Sequence, residues 1–262
     1  MDSVRLLYKI SLIVGAVANL LMAASLWANK KKYKPYIIYS WARQFMELWL
    51  AAFALGYLIH AFVDLRGFWP TAAGALTVSY FHLGAICFCW GFIPLLNPMY
   101  LTQKIAIRDT VILGVGLVCY WTAAIIWKQT CIFSIIPYLI FFAYCGYCAV
   151  VFYKTFQRVT LRLLTMSYGN VSGFVRWMQA SCDVIVFFGI FIVAVVISFP
   201  NSIRYFTPIT IIMGIGIFAF IVYSLSKYGK VVKDATRATK TVAREYYSPF
   251  KGKENTNRAP NL

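Results

Sequence analysis

Residues 37–62, IIYSWARQFMELWLAAFALGYLIHAF, decide how this chain folds. An apolar run of that length, at a rise of about 1.5 Å per residue, reaches across the roughly 30 Å of a bilayer's hydrocarbon. The segment Asp64-Leu65-Arg66-Gly67-Phe68-Trp69-Pro70 then turns the chain, and residues 71–95, TAAGALTVSYFHLGAICFCWGFIPL, carry it back. Two such runs with so short a joint predict an antiparallel pair of membrane-spanning helices. Within the pair lie Arg43, Glu47, Tyr80 and both histidines of the protein, His60 and His82.

Working outward, comparable runs occupy residues 6–27 before the pair and 110–127, 132–153, 181–199 and 207–225 after it. Their termini carry stop signals: Pro35 before the second run, Pro94, Asn97 and Pro98 at the end of the third, and Pro200-Asn201 after the sixth. Met99 to Asp109 reads as a polar loop, Pro137 as a kink, and Lys154 to Gln179, with Arg158, Arg162 and Arg176, as a longer basic connection. The first run follows Arg5 and Lys9 but exceeds a signal-peptide core and lacks a cleavage site, so it reads as a retained helix. The expectation is an all-α, multi-pass protein: a seven-helix bundle over residues 1–226 and a basic tail over 227–262. Composition agrees, with 61% hydrophobic and 13% charged residues, against about 25% charged in soluble domains.

A formal charge of +17 raises nucleic acid as a partner, but in a membrane protein a basic excess marks loops that face anionic lipid. The loops after the first, third and fifth helices and the tail hold roughly nineteen of the twenty-five Lys and Arg residues, which predicts an outside N-terminus and a cytoplasmic C-terminus. In the tail, Val231, Val232, Ala235, Ala238 and Val242 form a weak apolar face that could lie along such lipid. Seven cysteines, nearly all inside apolar runs, describe small soft packing residues and no disulfide framework.

The ionisable residues inside the runs are the candidates for function, because a charge at mid-membrane is costly unless paired, neutralised or hydrated. By helical rise Arg43 lies about 10 Å from the cytoplasmic end of the second helix and Glu47 near the middle. His82, on the returning helix, comes to a depth similar to Glu47, so a Glu47–His82 contact is expected. Asp183 matches the depth of Arg43 and is its alternative partner, Tyr80 faces another neighbour, and His60 reads as interfacial. These residues serve either as a ligand- or proton-responsive core or as glue between helices. A catalytic role is not expected. Two histidines at different depths suit neither a zinc site nor bis-histidine haem, no phosphate-binding glycine loop occurs, and no nucleophile has a base at recognisable spacing. No metal or cofactor is therefore expected.

The motifs Tyr80-Phe81-His82-Leu83-Gly84, Leu95-Leu96-Asn97-Pro98-Met99-Tyr100-Leu101-Thr102, Arg108-Asp109 and Tyr120-Trp121 give the chain a further feature: it resembles a group of uncharacterised seven-helix integral membrane proteins of Bacteroides and related gut bacteria. The resemblance implies a membrane location and no agreed activity, and it transfers no catalytic residue; the location expected for this chain is the inner membrane. The polar cluster at mid-membrane, together with basic loops gathered on one side, leads to the expectation of a non-enzymatic sensor or receptor-like protein holding a small or lipid-like ligand between helices and signalling to a separate cytoplasmic partner. A small proton- or ion-coupled transporter using Glu47, or an assembly subunit of a larger complex, are the alternatives.

Overall fold

The computed structural model describes residues 3–128, 131–166, 172–198 and 203–251, with side chains over 3–128, 131–161, 177–195 and 205–229. Every long element among them is helical, and seven helices are long and apolar enough to cross a membrane. The protein is a multi-pass helical membrane protein. Its helices are α1 (Ser3–Ala28), α2 (Ile37–Val63), α3 (Pro70–Leu96), α4 (Gln103–Ile126), α5 (Tyr138–Met166), α6 (Ser172–Ser198) and α7 (Ile203–Lys251), with single turns at Lys30–Tyr33, Leu65–Phe68 and Ile132–Ile135 between them. Two compact units divide the chain, Met1–Val222 and Tyr223–Leu262.

Local chemistry explains most of the boundaries. The α2–α3 turn is made by Asp64, whose φ of 51° is left-handed. Asp tolerates that region better than bulkier residues, and here its carboxylate also pairs with Arg5 near the start of α1. Pro70 then occupies the first turn of α3, where its missing N–H costs nothing. The α3–α4 turn ends at Thr102, whose hydroxyl accepts the Ile105 N–H at 3.4 Å as an N-cap. Pro137 separates the single turn Ile132–Ile135 from α5, as its ring requires.

Three stretches differ from expectation. Helix α4 begins at Gln103, so most of the stretch read as a loop up to Asp109 is helical. Helix α5 continues to Met166 and α6 begins at Ser172, which shortens the expected 154–179 connection to the few residues between them. In each case the residues are good helix formers such as Gln, Lys, Arg and Leu, whose polarity marks the membrane boundary and not a break in the helix. Pro200-Asn201, residues 252–262, and the side chains of Arg162, Arg176 and the tail face from Val231 to Val242 lie outside the described residues.

At the centre stands α3. In its most apolar window 72% of residues are buried, against at most 50% in any other spanning helix, and it packs on α2, α4, α5 and α6. Helix α1 lies along α2. Within the first unit α7 sends Ile211 against Gly15 and Phe218 against Trp49 and Phe53, with ring centroids 5.2 and 5.1 Å apart. Lipid tails are as apolar as these rings, so the bundle is held by close packing and interhelical hydrogen bonds rather than by water exclusion. Leu7, Leu21, Leu55, Val118, Leu139 and Ile212 are among the many large apolar side chains left exposed around the bundle, as a lipid-facing surface demands.

Two glycines mark the closest approaches. A Cβ on Gly56 of α2 would sit 2.5 Å from Cδ1 of Tyr80, and one on Gly84 of α3 would collide with the indole nitrogen of Trp49. Both residues let an aromatic ring of the opposite helix lie against bare backbone.

Candidate functional site

The α2–α3 turn brings a polar group into the bundle. His60 lies in the last turn of α2, near the helix end as expected, and is 2% exposed, enclosed by neighbouring helices. Across from it, Thr77 of α3 is equally enclosed. The Thr77 hydroxyl donates to the Ala73 carbonyl at 2.8 Å, which uses its one proton. Its lone pairs then accept from Arg66 Nη2 at 3.2 Å and from His60 Nε2 at 3.2 Å. By that donor count Nε2 carries the histidine proton, and Nδ1, buried and without a hydrogen-bond partner, presents a lone pair.

Around these three residues lies a cavity of about 40 Å³, bounded also by Tyr8, Tyr57, Tyr80 and Thr210 and reached by α1, α2, α3, α6 and α7. That is room for about three waters or one small solute. Tyr80 forms one wall. Its ring packs edge-on to Phe53 at 4.8 Å, Tyr57 at 6.0 Å and His60 at 6.4 Å. Arg66 is half-buried, and no carboxylate among the described residues is within ion-pair distance of it. The neighbouring Asp64 is engaged by Arg5.

The other polar residues singled out in the sequence are placed elsewhere and separately. His82 is fully buried, and its Nδ1 meets the Tyr120 hydroxyl of α4 at 3.0 Å. The expected Glu47–His82 contact is not made: no hydrogen bond or ion pair joins them, His82 Nε2 has no partner, and half-buried Glu47 has one carboxylate oxygen without a partner. The reason is azimuth. His82 points from α3 toward α4 and α5, where Tyr144 lies with ring centroids 5.0 Å away, whereas Glu47 is on α2.

Arg43 pairs with neither Glu47 nor Asp183. It donates to the Leu26 carbonyl in the last turn of α1 and to Tyr39 Oη at 3.3 Å, with its guanidinium 4.8 Å from the Tyr33 ring centre. This adds a second donor to a carbonyl that already accepts the Asn29 N–H at 3.3 Å, and it sheathes the charge in aromatic faces. Asp183 is exposed and accepts a hydrogen bond from Tyr153 of α5. It borders a wide apolar groove of about 830 Å³ between α5, α6 and α7. Of the five expected site residues only Tyr80 lines the cavity.

Sequence reasoning missed Thr77, Arg66 and Asp109. Asp109 is fully buried at the start of α4, accepting from Trp90 Nε1 at 2.9 Å and from Arg108 Nε and Nη2 at 3.0 and 2.7 Å, while Arg108 Nη1 donates to Tyr147 at 2.6 Å. That carboxylate is fully satisfied and ties α3, α4 and α5 together. The signal for it was the aligned Arg108-Asp109 pair, hidden by the reading of the stretch as loop. Among the described residues no group of three His, Cys, Asp or Glu is placed to hold a metal ion. The chemistry that the cavity offers is recognition, by one cation, an imidazole and several hydroxyls. No family model, curated protein or solved structure matches this chain, so its functional reading rests on this geometry.

Proposed function

We propose that this chain is a non-enzymatic, receptor-like protein of the bacterial inner membrane that binds a small ligand in the cavity between His60, Arg66, Thr77 and Tyr80. The observation that carries the reading is a polar cavity in an apolar bundle, lined by His60, Thr77, three tyrosines and the half-buried Arg66, whose guanidinium has no carboxylate within ion-pair distance among the described residues. Polar side chains enclosed by apolar helices are costly unless they are paired or hydrated, which a bound polar molecule would do. The basic residues orient the hairpin end to the outside, so the ligand enters from there and the basic loops and tail meet anionic lipid and a separate cytoplasmic partner. Because five helices reach the cavity, a ligand that bridges them favours one packing of the bundle over another, which is what a signal requires.

Native mass spectrometry of the gently extracted protein tests this. The wild type should release a small molecule that the Arg66→Gln, Thr77→Val double variant does not carry. A wild type that carries none, or a variant that retains it, overturns the reading. Another protein found in place of a small molecule argues for the assembly-subunit alternative.

A further inference from the structure

Asp183 leaves a charge on the lipid-facing side of the bundle that nothing around it balances. Trp177 opens the apolar span of α6, and at the helical rise Asp183 stands about 9 Å beyond it, inside the hydrocarbon. The residue is exposed to the groove between α5, α6 and α7, whose only other polar lining residue is Tyr153. Tyr153 donates one hydrogen bond to Asp183 Oδ1, and no cation among the described residues is within ion-pair distance of the carboxylate. A hydroxyl does not neutralise a carboxylate. In hydrocarbon such a group is costly until a cation reaches it.

The groove describes the rest of the cation's molecule. It follows α6 from Asp183 as far as Phe191, roughly 12 Å at the helical rise, with a volume of about 830 Å³ and apolar walls. Gly216 of α7 keeps it open: a Cβ there would meet no atom within 4 Å. Depth decides the kind of head. A phospholipid carries its ammonium in the headgroup layer, outside the hydrocarbon, whereas an ammonium attached directly to an apolar chain lies at the level of Asp183.

We propose that this groove binds a long-chain primary amine, its ammonium paired with Asp183 and its chain laid along Phe187, Phe191, Met213 and Ile217. The site is separate from the cavity at His60 and Arg66 and does not depend on that cavity's holding a ligand. Membrane lipid competes for the apolar walls on equal terms, so the chain supplies fit and little selectivity. The charge-assisted hydrogen bond from ammonium to carboxylate supplies the selectivity.

The test is native mass spectrometry of the full-length, detergent-solubilised protein titrated with dodecylamine, dodecanol and phosphatidylethanolamine. Dodecylamine should bind at least tenfold more tightly than dodecanol, the effect of one charge-assisted bond, and more tightly than phosphatidylethanolamine. Asp183→Asn should bring dodecylamine down to the level of dodecanol. Gly216→Phe, which places a ring in open space at the groove wall, should weaken both without touching the carboxylate. Dodecanol or phosphatidylethanolamine equal to dodecylamine, or dodecylamine binding unchanged in Asp183→Asn, overturns the proposal. Undiminished binding in Gly216→Phe places the amine outside the groove and overturns it too. The wild-type series decides even if a variant does not fold.

Discussion

At the scale of single residues, the most telling contrast is between two tyrosines packed against the same histidine. Tyr120 Oη bonds His82 Nδ1, whereas the buried Tyr144 hydroxyl has no partner. Removing one half of a buried pair leaves the other exposed to its desolvation cost, so Tyr120→Phe should destabilise the bundle by about 1–3 kcal/mol. Tyr144→Phe removes a buried hydroxyl that makes no hydrogen bond among the described residues, so it should leave stability unchanged or raise it. Thermal melts in detergent compare the two, and equal losses would mean that the Tyr120 bond carries no special weight. The sequence yields a position along each helix by counting its rise, and on that count Glu47 and His82 are level. It does not yield azimuth: which neighbour a side chain meets depends on the order of helices around α3, and that order puts Tyr120 and Tyr144 against His82 while Arg43 turns to the end of α1.

Pairs of helices are fitted to one another by rings lying on glycine. Gly84 gives room for the Trp49 indole, which itself packs 5.2 Å from Phe218 and 6.4 Å from Phe88. The ring is enclosed on several sides, so Gly84→Ala should cost about 1–3 kcal/mol through overpacking. Melting of the variant measures this, and Gly114→Ala, where nothing lies near the added carbon, is the control expected to stay neutral. The apolar spans themselves were readable because length and hydropathy suffice for a membrane helix. Their polar ends were not. Gln103 to Asp109 and Lys154 to Met166 prolong helices beyond their apolar runs, where composition no longer distinguishes helix from loop, and Asp109 was lost to view for that reason.

For the molecule as a whole, α3 is the shared partner of α2, α4, α5 and α6, and the cavity opens at the end where α2 turns into it. Site residues were only partly legible because the cavity is assembled from five helices, and no local spacing encodes the convergence of Tyr8, His60, Thr77 and Thr210. Helices that are each stable across a bilayer need no covalent loop to find their places, only complementary surfaces. A gene cut between α5 and α6 leaves α3 intact in the first product, with the surface that receives α6 already displayed. Co-expressed halves should therefore reassociate and co-purify on a tag carried by one of them. Displacing Phe81, which meets Phe188 of α6 at 6.2 Å, by a charged residue should abolish that complementation. The central position of α3 thus makes this a protein that can be delivered to the membrane in two pieces.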